Sequence, residues 1–146
     1  MSFALDVKAF TAKAGNNAEL AIKRIIAGVA DSVIHMSPVG DASYWQSPPP
    51  KGYSGGRFRG NWDYGFRSPP SGTFNVIDKT GDLSMSRITL KMPEGKLAGS
   101  IHWIANNLPY ARRLEDGWSR QAPQGMVGIT VLQFQQIVNE SVGGLA

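Results

Sequence analysis

The chain has 146 residues, 42% of them hydrophobic and 18% charged, with a formal charge of +4 and 17 glycines. That is the composition of one globular domain spanning residues 1–146, with enough chain to bury a true core. The absence of cysteine excludes disulfides, thiolate metal sites and a cysteine nucleophile, and two histidines are too few for a three-histidine metal site.

The elements are predicted in chain order. Phe3 to Lys13 reads as a short first helix. Asn16 or Asn17 can cap a second, longer helix, with Glu19 in its first turn. Ile22, Ile25, Ile26, Val29, Val33 and Met36 then recur at three- and four-residue steps and form one apolar stripe, with Lys23, Asp31 and His35 off its centre. Ser37-Pro38 ends this helix, because proline disfavours helical geometry in the residue before it. Residues 37–56 form a long insertion with Pro48-Pro49-Pro50, four glycines and the aromatics Tyr44, Trp45 and Tyr53. Such loops are often binding segments, and aromatics beside a proline run suit a protein partner.

Arg57 to Arg67 reads as a strand. Phe58, Trp62, Tyr64 and Phe66 share one parity, and Arg57, Arg59, Asn61, Asp63 and Arg67 share the other. The alternation predicts one buried aromatic face and one solvated polar face. Ser68 to Gly72 is a turn, and Phe74 to Ile77 reads as a short second strand. Residues 79–92 show no single period and leave helix or strand open, with a short helix from about Gly81, ended before Pro93, the favoured reading. Ser100 to Ile104 is a strand, Tyr110 to Asp116 a short helix ended by Gly117, and Val127, Val131, Phe134 and Val138 lie on one face of a final helix. The fold class is α+β: a small antiparallel sheet packed with a long N-terminal and a C-terminal helix.

The chemistry-bearing residues nominate no reaction. Gly117-Trp118-Ser119-Arg120-Gln121 fails the serine nucleophile pattern at its last position. Gly95-Lys96 lacks the remaining residues of a phosphate loop. His102, between Ile101 and Trp103, has no paired nucleophile in view and reads as a strand histidine facing outward or bonded to its neighbours. His35 suits the end of a helix. No catalytic, cofactor or metal residue is named, and the protein is expected not to be an enzyme. The stretch 44–67 mixes aromatics with Lys51, Arg57, Arg59 and Arg67, which is the pattern of a single-stranded nucleic-acid binder. The alternation argues instead for core aromatics and a solvated arginine face.

Two blocks together resemble a known family. The first is Ser37-Pro38-Val39-Gly40-Asp41 followed by Gly55-Gly56-Arg57-Phe58-Arg59-Gly60-Asn61-Trp62. The second is Asn106-Asn107-Leu108-Pro109-Tyr110-Ala111-Arg112-Arg113-Leu114-Glu115-Asp116-Gly117-Trp118-Ser119, with Gln121 to Val127 beyond it. In order and spacing these resemble the tail-completion and head–tail joining proteins of tailed bacteriophages, of the lambda-like minor tail kind. The family pattern runs from Pro-Val-Asp straight into the Gly-Arg turn, whereas here Gly40 precedes Asp41 and residues 41–54 intervene.

The resemblance implies a structural virion protein of the phage neck, made in the host cytoplasm without export. It implies a homo-oligomeric ring of six copies between a head–tail connector or stopper and a tail terminator or tail-tube protein. DNA passes through its lumen without sequence-specific binding, and no membrane or cofactor takes part. A tail terminator ring is the neighbouring alternative. Tyr44, Trp45, Tyr53, Arg57, Arg59, Tyr110, Arg112, Arg113, Glu115 and Trp118 are the candidate subunit or partner contacts. Tyr110 and Trp118 read equally as core or interface. Arg112, Arg113 and Glu115 offer charge for fixing register.

Overall fold

A computed structural model describes residues 2–6, 18–39, 55–119 and 121–143. Strand β1 is Ser2–Asp6, helix α1 Ala18–Met36, strand β2 Trp62–Phe66, helix α2 Asp82–Lys91 and strand β3 Ile101–Asn106. Helices α3 (Ala111–Glu115), α4 (Val127–Leu132) and α5 (Phe134–Val142) complete the order. The architecture is α+β, as the sequence predicts. No described helix is long and apolar enough to cross a membrane.

The sheet has the order β1-β3-β2 and both pairings are antiparallel. Its last strand in sequence is therefore central. Trp62 pairs with Asn106, Tyr64 with Ile104 and Phe66 with His102. Residues two apart share a face, so Trp62, Tyr64, His102 and Ile104 line one side, and all four are buried. Helix α1 packs there through Ile22, Ile25, Ile26, Val29 and Val33. Its buried surface also takes in Ala21, Ala30 and Ile34, a broader band than the predicted stripe. Each buried isoleucine or valine contributes about 1.5–3 kcal/mol relative to exposure. The helix ends at Ser37, whose hydroxyl donates to the Val33 carbonyl at 2.6 Å. The predicted caps Asn16 and Asn17 lie outside the described residues.

The sequence reading needs four corrections. Residues 2–6 form a strand rather than the start of a helix, since Ser2 to Asp6 pair residue by residue with Ala105 to Ile101. The strand predicted over Arg57–Arg67 is confined to Trp62–Phe66; Arg59–Asn61 is a turn of 3-10 helix. The Asn61 amide donates back to the Arg57 carbonyl at 2.7 Å, which closes that turn locally. Its polar parity is only partly solvated: Arg57 and Arg67 are exposed, whereas Asn61 and Asp63 are buried. Lys91 of α2 reaches Asp63 at 2.8 Å and compensates the carboxylate.

Phe74–Ile77 is not a strand. The Asn61 side chain takes the place of a strand partner: it accepts from the Phe74 N–H at 2.7 Å and donates to the Phe74 carbonyl at 3.0 Å. The final helix is divided at Gln133, and Val131 points to solvent. Thr130 faces inward instead, its hydroxyl 2.7 Å from that of Ser32. A hydrogen bond to α1 thus fixes the rotation that apolar spacing alone would set differently. A Cβ at Gly28 would overlap the Ile137 side chain, so glycine permits the close approach of α1 and α5.

Candidate partner-binding surface

The two sequence blocks meet at one end of the sheet. Asn106, the last residue of β3, donates from its amide to the Phe58 carbonyl at 2.8 Å. Phe58 packs edge-on against Trp62, centroids 5.8 Å apart, and lies 6.2 Å from the Tyr110 ring. The Trp62 indole donates to the Ser37 hydroxyl at 2.7 Å. The Val39 N–H donates to the Gln121 side-chain carbonyl at 3.0 Å. A cleft of about 450 Å³ opens between these parts, lined by Pro38, Val39 and Arg59 on one side and by Gln121, Pro123 and Ile129 on the other.

Helix α3 is held by its own sequence. Pro109 opens the turn before it, and Ala111 and Leu114 are buried. Gly117 ends it at φ +89°, with its N–H on the Leu114 carbonyl. This leaves Arg112 and Arg113 exposed, Tyr110 37% exposed and Trp118 47% exposed. Both aromatics are therefore amphipathic, with part of each ring at the surface. Burial raises the Tyr110 phenol pKa, and the nearby Arg57 charge opposes that rise. Arg57, Tyr110, Arg112, Arg113 and Trp118 thus contribute exposed surface in and beside the second block. Arg112 lies 3.9 Å from Asp116. Arginine, tyrosine and tryptophan are the types enriched among binding hot spots.

Two predicted contact residues serve the fold instead. The terminal nitrogens of Arg59 donate to the carbonyls of Lys79, His35 and Ser37, at 2.5, 3.2 and 2.7 Å. Burial lowers its pKa, with Asp78 acting the other way. This guanidinium is a cross-brace between the end of α1 and the segment before α2, not a free phosphate contact. Glu115 accepts from the backbone N–H of Met126 and Val127 with one oxygen and of Gly128 with the other, each at 2.9 Å. It caps α4, so its charge is engaged within the subunit. Tyr44, Trp45 and Tyr53 lie outside the described residues.

His102 is bonded inward rather than turned to solvent. Its Nε2 is 2.9 Å from the Leu97 carbonyl and its Nδ1 is 2.7 Å from the Tyr64 hydroxyl. The carbonyl can only accept, so Nε2 carries the proton and Tyr64 donates to Nδ1. His35 bonds back to the Asp31 carbonyl at 3.0 Å, at the end of α1 as expected. Among the described residues no cluster of three or more His, Asp or Glu side chains is placed to hold a metal ion.

The sequence reading missed Asp78. Its carboxylate accepts from the N–H of Gly81 and Ser84, both at 2.9 Å, and so organises the start of α2. The turn composition Asp78-Lys79-Thr80-Gly81 was the available signal. No protein-family model, curated protein or solved structure matches this chain.

Proposed function

We propose that this chain is a structural subunit of a bacteriophage neck, forming a ring that completes the tail and joins it to the head connector, with DNA passing through the lumen. The observation that carries this reading is the convergence of the two family-like blocks. They lie more than forty residues apart in sequence, yet Asn106 to Phe58 and Phe58 to Tyr110 bring them against each other. Their proximity, set by the pairing of Trp62 with Asn106, supports reading the two motifs as parts of one surface. The exposed set Arg57, Tyr110, Arg112, Arg113 and Trp118 beside that junction is the surface offered to a neck partner.

The single-stranded nucleic-acid reading has less support. Its aromatics Trp62 and Tyr64 are buried and cannot stack on bases, and Arg59 is committed to backbone carbonyls. Electron microscopy of particles assembled with and without the protein tests the proposal. Heads and tails should accumulate unjoined in its absence, and the complete neck should contain a ring of this subunit. Normal joining without the protein would overturn the reading.

A further inference from the structure

Two arginines flank Tyr110 at the junction of the two blocks. Arg57 stands one residue before Phe58, whose ring lies 6.2 Å from that of Tyr110, and its charge acts on the Tyr110 phenol. Arg113 lies three residues beyond Tyr110, in the turn closed by the Leu114 N–H on the Tyr110 carbonyl. Side chains at that spacing are neighbours on one helix face. Lys79 extends the row on the far side of Arg57, its side chain passing beside Gly56.

The charges of this row are not neutralised inside the subunit. Arg57, Lys79 and Arg113 are exposed, and among the described residues none of them forms an ion pair. This separates them from Arg59 and Arg87, whose guanidinium groups are held by backbone carbonyls. Two of the neighbouring acids are engaged elsewhere: Asp78 holds the start of α2 and Glu115 caps α4. Asp116 lies 3.9 Å from Arg112, and Asp82 is in the first turn of α2. Four exposed cations, counting Arg112, therefore stand against two exposed carboxylates.

The backbone under the row is fixed within the subunit. The Arg57 carbonyl accepts from the Asn61 amide at 2.7 Å, the Gly56 carbonyl accepts from the Asp78 N–H at 3.0 Å, and Phe58 backs the Tyr110 ring. A surface ordered in advance loses less entropy on binding. Its composition selects the class of partner. Arginines around the partly exposed Tyr110 and Trp118 are the residue types of protein hot spots, and unpaired charges of one sign match carboxylates opposite them. A surface that gripped phosphates would instead hold the DNA that the proposed neck lets pass.

We infer that the surface centred on Tyr110 takes an acidic face of an adjoining neck protein, whose carboxylates meet Arg57 and Arg113 on either side of the tyrosine ring. The inference rests on the neck reading above and names the chemistry of the partner at that same surface.

The test supplies purified chain to an extract of unjoined heads and tails from particles lacking the protein, and measures the rate of joining. Arg57→Glu/Arg113→Glu should slow joining by at least about tenfold, and Arg57→Lys/Arg113→Lys should restore most of it. Raising salt from about 50 to about 200 mM should slow the wild type more than the reversed variant. The reversed variant should keep the wild-type circular dichroism spectrum and the wild-type assembly size in sedimentation, since both side chains are exposed. A smaller assembly would assign the surface to the subunit contact and overturn the inference. Suppressors of the reversed variant should replace Asp or Glu in another virion protein. Suppressors confined to this chain, or joining at the wild-type rate, would overturn the inference and leave the neck reading standing. Failure of the wild-type chain to join heads and tails would overturn the neck reading itself, and the inference with it. A labelled duplex of about 20 bp should bind wild type and Arg57→Ala/Arg113→Ala alike; a salt slope lower by about two in the variant would assign the arginines to DNA phosphates instead.

Discussion

The Tyr64 hydroxyl lies 2.7 Å from His102 Nδ1, in the buried layer between β2, β3 and α1. Burial lowers the His102 pKa from its ordinary value of 6.5, the Leu97 hydrogen bond and the Glu19 charge acting the other way. Burial also pushes the Tyr64 phenol up to about 12. The folded state therefore holds His102 neutral. Below pH about 6.5 the unfolded chain binds a proton that the folded chain does not. This contribution to stability is complete above that pH and is lost as the pH falls toward the lower folded pKa. The slope reaches at most about 1.4 kcal/mol per pH unit. Urea unfolding of wild type and His102→Gln between pH 5 and 7.5 checks this. The wild-type curve should be steeper over that window; parallel curves would refute the assignment.

Glu115 and the start of α4 provide a second test. Glu115→Ala removes the acceptor for three backbone N–H groups. A lost cap of this kind costs about 1–2 kcal/mol. The unfolding midpoint should fall accordingly, with the same effect at high protein dilution. A variant with wild-type stability and weakened assembly would assign Glu115 to the subunit contact instead.

Arg57 and Arg59, two residues apart, should separate cleanly. Arg59→Ala removes a charged donor shared by three carbonyls, that of Ser37 in a part-buried place, and should cost roughly 1.5–3 kcal/mol. Arg57 is exposed, and Arg57→Ala should stay within about 0.5 kcal/mol of wild type. Chemical denaturation of the two variants measures the contrast. Equal losses would show that the cross-brace carries no more than a surface charge does.

Gly117 tests why helix α3 ends in glycine. Its φ of +89° is a left-handed conformation, and a Cβ there would overlap the Pro123 carbonyl oxygen. Gly117→Ala should therefore destabilise by more than about 1 kcal/mol, since strain and overlap add. Thermal unfolding is the measurement, and a neutral or stabilised variant would contradict this account.

Much of the fold was legible because its signals are local. The α1 stripe, its stop at Ser37-Pro38 and the end of α3 at Gly117 all depend on residues a few positions apart, whereas the mixed spacing of residues 79–92 left helix or strand open until the structure showed α2. The errors arose where a distant partner decides the outcome. Thr130 turns inward for Ser32, which sends Val131 to solvent. Asn61 binds the Phe74 backbone in place of a strand. Of the proposed contact residues, Arg57, Tyr110, Arg112, Arg113 and Trp118 keep exposed surface, whereas Arg59 and Glu115 do not act as free charges. Residue type cannot separate these cases, because an arginine that braces and one that faces solvent look alike in sequence.

By itself the sequence determined the α+β class, the long apolar helix and the inward aromatics of β2. Periodicity and turn chemistry set these before any long-range contact forms. Only the tertiary structure decided that β3 is the central strand, that the polar parity of β2 is buried under α2, and that the two blocks converge. Strand order and helix rotation follow from hydrogen bonds and charge pairs between residues far apart in the chain, such as Asn106 with Phe58 and Lys91 with Asp63.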